Sequence, residues 1–465
     1  MRKRDSMETT NLSRRALLGG VAATASATIL AACGGSSSAT GTPQAAATTA
    51  SGAATTAAPT VNAAVTSAAP TINAAVSTVR SAASGVAPTV ASAATANATA
   101  VNSAATTVTG AATTAAPTVN AAATTAGSAV ASGPYTGKKL NVAYLPNGTL
   151  GDKSFFDSGQ RGMDRAKAEL GMTVKTIELG YDENRWGPGL TDAANQSYDV
   201  VICGTFNMEQ YITETAAKAK TKKFVFFDDT VDYKKGFENV YSVVFKQNEG
   251  SYLAGFMAGL LVQSSDATVQ KGTGGGKKIG FLGGSNIPVI NDFLAGWKQG
   301  AKDAGLKDAD ILVSYVEGQT PFSDPAKGKE LTLAMYNQGA GIAFNVAGSS
   351  GLGLLDAGGQ AKRFTIGVDS DQYTILKDSK PDQAQWIVTS VQKRVDNALF
   401  RALRLTGMDQ LKYGAAEAVG LSDGGVELAD NENYKKNVPQ DIRDKVAAKS
   451  KDIAGGTLKV DTAIK

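Results

Sequence analysis

From Lys138 onward, short apolar runs alternate with longer amphipathic stretches. The runs predict β-strands over Leu140–Tyr144, Thr173–Glu178, Asp199–Cys203, Phe224–Phe227, Val240–Phe245, Lys278–Leu282, Ile311–Val316, Ile342–Ala347, Phe364–Val368 and Trp386–Val391. Helix-like periodicity lies between them, over Phe155–Leu170, Gly250–Val262, Phe293–Ala304, Pro325–Asn337 and Val395–Leu405. Strand–helix alternation predicts an α/β chain with parallel sheets, and runs such as Phe224-Val225-Phe226-Phe227 suit strands covered on both faces.

The residues after the strands bear on function. Pro146-Asn147-Gly148, Gly204-Thr205, Asp228-Asp229, Gly283-Gly284-Ser285, Gly348-Ser349-Ser350-Gly351 and Asp369-Ser370-Asp371 follow strand ends. In open α/β sheets the ligand crevice lies beyond the carboxyl ends of the strands, so contacts gather there. Gly and Asp also serve as plain turn formers and helix caps. The run Gly272–Lys278 lacks the length and the Ser or Thr of a phosphate loop and is read as a loop. Gly348–Gly353 follows a strand but does not have the dinucleotide spacing, and Asp369-Ser370-Asp371 lacks the Gly and distal Glu of a calcium loop.

Composition divides the chain of 465 residues before any motif does. Every Phe, Tyr and Trp lies at or after Tyr135, so the first 134 residues lack the side chains that dominate cores. Within them, Ser13-Arg14-Arg15-Ala16-Leu17-Leu18 precedes a weakly apolar run from Gly19 to Ala32, the layout of a twin-arginine export signal. The run ends Leu30-Ala31-Ala32-Cys33-Gly34, which resembles a lipobox and predicts a lipid on Cys33, on the outer face of the cell membrane. It is too short and too rich in Gly and Ser for a membrane-spanning helix. Residues 33–137 are almost wholly Ala, Thr, Ser, Val, Gly and Asn, with a Pro-Thr-Val-Asn-like phrase recurring at Pro59, Pro70, Pro88 and Pro117. That composition predicts a disordered tether spanning roughly 55 Å as a flexible coil.

The net charge of +4 comes from the leader and from Arg80. What remains is balanced, 40 basic and 40 acidic groups, and gives no electrostatic reason for a nucleic-acid partner. With no histidine, imidazole catalysis and histidine-ligated metals are excluded, and no cofactor or metal site is read from the chain. Once Cys33 is lipidated, Cys203 has no partner; ending the run Val200-Val201-Ile202, it reads as a small buried hydrophobe.

Six phrases, in order, resemble the basic membrane protein family, lipoprotein substrate-binding components of ABC importers that include purine nucleoside receptors. They are Gly151-Asp152-Lys153-Ser154-Phe155, Val244-Phe245-Lys246-Gln247-Asn248-Glu249-Gly250-Ser251-Tyr252-Leu253-Ala254-Gly255, Ser323-Asp324-Pro325-Ala326-Lys327-Gly328, Val346-Ala347-Gly348-Ser349-Ser350-Gly351-Leu352-Gly353, Gly367-Val368-Asp369-Ser370-Asp371-Gln372 and Lys393-Arg394-Val395-Asp396. The resemblance implies a type I periplasmic-binding fold: two Rossmann-like lobes, three hinge crossings, and ligand enclosed between them. It places the first lobe at 138–247 plus 394–412 and the second at 248–392 plus 418–465.

Residue by residue, the resemblance implies that Phe155 and Phe344 sandwich a purine ring, that Asp228 meets the ligand, and that Asp369 with Lys393 holds ribose hydroxyls. Asn147 and Asp152 become candidates for the base edge, and Gly348 for close backbone approach. Other roles suit the same residues: core for Phe344, a solvated helix start for Lys393-Arg394, a cap for Asp152. Phe156 stands where the family commonly has Asn, and could itself be the stacking ring. The expected partners are a purine nucleoside, the permease of an ABC importer and, through Cys33, the membrane, with the receptor itself a monomer. Another small polar ligand such as a sugar, a sensory role, or a carboxylate-based nucleoside hydrolase using Asp152 or Asp228 are the alternatives.

Overall fold

The computed structural model describes residues 134–464; the export signal, Cys33 and nearly all of the tether lie outside the described residues. The apolar runs form two six-stranded sheets. In the first, β1 (Asn141–Leu145), β2 (Thr173–Thr176), β3 (Val200–Gly204), β4 (Lys223–Phe227) and β5 (Val240–Phe245) take the order β2-β1-β3-β4-β5, all parallel. In the second, β6 (Lys278–Gly283), β7 (Ile311–Tyr315), β8 (Ala340–Val346), β9 (Phe364–Val368) and β10 (Ile387–Lys393) repeat that order as β7-β6-β8-β9-β10. The order reverses between β1 and β3 and again between β6 and β8, the switch points where a doubly wound sheet opens a crevice.

Helices cover both faces, as near-continuous burial of β3, β8 and β9 requires. Helix α1 (Phe155–Leu170) buries Phe156, Gly159, Met163, Ala166 and Leu170 at helical spacing and stops at Gly171, which is left-handed. Helices α2 (Trp186–Asn195) and α3 (Glu209–Lys218) complete the first lobe's crossovers. Helix α4 (Gln247–Gln263) is buried on nearly every side and packs on α6 (Pro288–Asp303) at the second lobe's core, where Gly255 and Gly296 leave no room for a Cβ.

Three short segments join the lobes: Lys246 between β5 and α4, Arg394 between β10 and α11 (Val395–Gly407), and Gly420–Gly425 between β11 (Ala415–Val419) and β12 (Val426–Leu428). This is a type I periplasmic-binding fold. The chain returns to the first lobe through β11, which pairs in parallel with β5, so that lobe's last portion runs through Val419 rather than stopping at 412. Strand β12 then closes the second sheet antiparallel to β10. The Gly272–Lys278 loop is also shorter than expected, since Gly272 and Thr273 end a helix, α5 (Ala267–Thr273), that Gly274 stops in left-handed geometry.

Candidate functional site

The repeated topology sets equivalent positions face to face. Asn147 and Thr205 follow β1 and β3, and Ser285 and Gly348 follow their counterparts β6 and β8; Asp228 follows β4 as Asp369 follows β9. All six line one cavity of about 280 Å³ between the lobes, close to the lower end of the roughly 300–1,000 Å³ that small-molecule sites occupy.

Backbone geometry at these turns is unusual. Thr205, Asp228 and Asp369 have φ of +77°, +70° and +62°. Left-handed backbone at such residues costs on the order of 1–3 kcal/mol each and clusters at ligand clamps, most unfavourably at a β-branched Thr. Gly348, at φ +53°, meets the same need without that cost, and a Cβ there would also lie 3.3 Å from the Phe322 carbonyl oxygen.

Charge gathers at the deep end. Lys393, the last residue of β10, is only 2% exposed and forms an ion pair with Asp228. Its ammonium sits 5.2, 5.4 and 5.7 Å from the ring centroids of Phe155, Phe245 and Phe293, close enough for cation–π attraction. Burial raises the Asp228 carboxyl's pKa, and Lys393 pulls it back down. Asp369, 7% exposed, is pushed up to about 7 by burial, against the attraction of Lys393 and a hydrogen bond from the Ser154 hydroxyl.

Seven of the eight residues expected at the site line the cavity: Asn147, Asp152, Phe155, Asp228, Gly348, Asp369 and Lys393. Asp152 is also the cap of α1. Its two oxygens accept backbone N–H groups from Ser154 at 3.0 Å, Phe156 at 2.9 Å and Asp157 at 3.1 Å. Burial raises its pKa against those donors. The Asn147 amide donates to Thr205 Oγ1 at 2.8 Å, while its buried Oδ1 has no partner in the described structure. Lys393-Arg394 is no solvated helix start, because both are buried and Arg394 pairs with Asp396 at 3.0 Å and Glu427 at 2.5 Å across the hinge.

Phe344 is the exception. It is fully buried against Phe281, Phe293 and Trp297 and does not line the cavity. Side chains alternate along β8, so Val346, two residues on, is the one on that face that reaches the cavity. Phe344 lies one pleat too deep in the sheet. The second lobe's aromatic contributions to the cavity are Phe322 and Phe293. Phe322 stands immediately before Ser323-Asp324-Pro325, in the loop between β7 and α7 (Pro325–Asn337). A large aromatic in a polar loop, with no strand to pack into, was the available signal. Phe155 and Phe156 both line the cavity, 5.3 Å apart in edge-to-face geometry. The Phe156 ring is wedged under Gly148, where a Cβ would come within 2.2 Å of it.

Residues 139–460, essentially the two lobes, match the Bmp family, described as ABC transporter substrate-binding protein PnrA-like. The chain belongs to this family. Among similar proteins, the CD4+ T-cell-stimulating antigen of Listeria monocytogenes is 29% identical over 344 residues, covering 70% of this chain and 88% of that protein. The ABC transporter nucleoside-binding protein BmpA of Lactococcus lactis is 27% identical over 338 residues, covering 70% of this chain and 89% of its own. The crystal structure of a solute-binding protein of an ABC transporter system from Aeropyrum pernix superposes with a TM-score of 0.62 at 24% identity, over 70% of this chain and 94% of that one, and shares the fold. The cleft between the lobes is therefore the candidate substrate site of this substrate-binding protein.

Proposed function

We propose that this receptor captures a purine nucleoside outside the cell and delivers it, unaltered, to the permease of an ABC importer while anchored through a lipid on Cys33. The observation that carries the reading is the arrangement of one cavity: Phe155 from the first lobe and Phe322 from the second, beside Asp369 and the unpartnered Asn147 Oδ1. Phenyl rings on opposite lobes suit the two faces of a planar base. An acceptor without a donor suits an N–H on the base edge, and a buried carboxylate can accept two hydroxyl protons of a ribose. The printed name of the Lactococcus relative, a nucleoside-binding protein, points the same way.

A hydrolase working through Asp152 or Asp228 is disfavoured by the state of those two carboxylates. Asp152 has both oxygens engaged by the α1 backbone, and Asp228 is held by Lys393, so neither is free to act as a general base. Calorimetric titration of the wild type with inosine, guanosine and adenosine tests the reading. Binding of at least one, weakened tenfold or more by Asp369→Asn, is the expected outcome, since hydrogen bonds to a charged group contribute about 1.5–3 kcal/mol. Unchanged affinity in that variant would remove Asp369 from the site.

A further inference from the structure

Beside the cavity, apart from the Lys393–Asp228 ion pair, the two lobes meet in a cluster of hydrogen bonds. Ser154, on the first lobe, donates its hydroxyl to Asp369 Oδ2 on the second, at 2.5 Å. Ser370 donates in return to the Ser154 carbonyl at 2.9 Å and accepts from Arg161 Nη2 at 2.7 Å. Gln372 Nε2 donates to the Lys153 carbonyl at 3.2 Å. Ser154, Ser370 and Gln372 are all buried, and the two chain segments that meet are each held in left-handed backbone, Lys153 at φ +55° and Asp369 at +62°. None of these bonds involves a ligand, yet they converge on a carboxylate that lines the ligand cavity.

We propose that Ser154 is a positioning residue of the binding site: its hydroxyl engages one oxygen of Asp369 across the cleft, which latches the lobes together and leaves the other oxygen for ligand. Oδ1 receives no hydrogen bond from the described residues, so the latch orients the carboxylate without saturating it. Ser370, Arg161 and Gln372 brace the contact from both sides. The latch rests on the lobe geometry alone; only the identity of the ligand rests on the nucleoside reading.

The charged groups around Asp369 are Lys393, Asp152 and Asp228, with the Ser154 hydroxyl as the neutral donor. A donor to an ionised carboxylate favours ionisation, so its loss moves the pH at which Asp369 protonates upward. That displacement separates positioning from a merely structural role.

The test uses the full chain in detergent, with Ser154→Ala and, as an independent latch variant, Ser370→Ala. Hydrogen exchange of the unliganded protein, read at peptides covering residues 153–161 and 368–372, is expected to quicken at least fivefold in both. Affinity for the best-bound purine nucleoside is expected to fall about tenfold in Ser154→Ala, with the pH at which binding is half lost moved upward from near 7. In an Asp369→Gly background, chosen because Gly accepts the positive φ, Ser154→Ala should add less than twofold to the exchange rate. Unchanged exchange in both latch variants, or the same Ser154→Ala effect with and without the Asp369 carboxylate, would overturn the proposal. Should the wild type bind no purine nucleoside, the nucleoside reading fails, and the exchange comparison still decides the latch.

Discussion

Replacing Lys393 with Met probes the charge cluster at the floor of the cleft. The substitution keeps the length and most of the volume of the side chain and removes the ammonium that pairs with Asp228 and lies among three phenyl rings. Breaking a buried ion pair from one side costs about 3–5 kcal/mol, because the remaining charge is left uncompensated. The cost has a definite pH dependence. Burial already raises the Asp228 carboxyl's pKa and has pushed Asp369 up to about 7, with Lys393 restraining both. Without Lys393 both rise further. A carboxyl whose pKa is higher folded than unfolded withdraws stability as pH climbs above its unfolded value of about 3.9. Lys393→Met is therefore expected to cost its full amount at pH 8 and less at pH 5, because Asp369, at about 7, is protonated there and the Asp228 carboxyl is shifted in the same direction. In thermal unfolding, at about 2.1 cal/mol/K per residue, that is a fall of roughly 4–7 °C at pH 8 for lobes of this size. Adding Asp228→Asn should recover much of the loss at pH 8. Equal destabilisation at pH 5 and pH 8 would refute the reasoning, since a packing defect does not titrate.

Three further outcomes are expected. Phe155→Ala and Phe322→Ala each weaken nucleoside binding tenfold or more with little loss of stability, whereas Phe344→Ala lowers stability by about 3–5 kcal/mol through its cavity, measured by urea unfolding. Asp369→Asn stabilises the unliganded protein at pH 8, by at most about 4 kcal/mol for a carboxyl raised to about 7, and the gain fades toward pH 4; a gain independent of pH would contradict the assignment. Cys33→Ala moves the protein from the membrane fraction to the soluble fraction, and a variant that still pellets with membranes would remove the lipid anchor.

Much of this architecture could be read from residue order. Strands Val240–Phe245 and Phe364–Val368 and helices Phe155–Leu170 and Pro325–Asn337 fall where the sequence pattern puts them: the strands are short apolar runs rich in β-branched and aromatic residues, the first helix has a strong period and ends at Gly171, and the second begins at the cap Asp324 with Pro325. The strands β11 and β12 were not anticipated. Ala415-Ala416-Glu417-Ala418-Val419 has no β-branched or aromatic residue before its last position, and its pairing with β5 is a tertiary event. The site divides along the same line. Turn residues at strand ends were visible because the fold sends ligands there. Phe344 matches the family motif yet packs in the core, because motif similarity says nothing about depth within a strand, and Phe322 carries no periodic signal, because a loop has no period to mark its side chains as inward. The Ser154–Asp369 contact joins residues 215 positions apart, which no local pattern reveals.

The most direct test of the central claim is what the cleft holds. The purified chain is incubated with a mixture of purine nucleosides and a hexose, separated from free ligand, denatured and examined by mass spectrometry. One intact purine nucleoside, retained at close to one per chain and lost in Phe322→Ala, is the predicted result. Retention of the hexose alone, no retained ligand, or release of free base in place of the nucleoside would contradict the account.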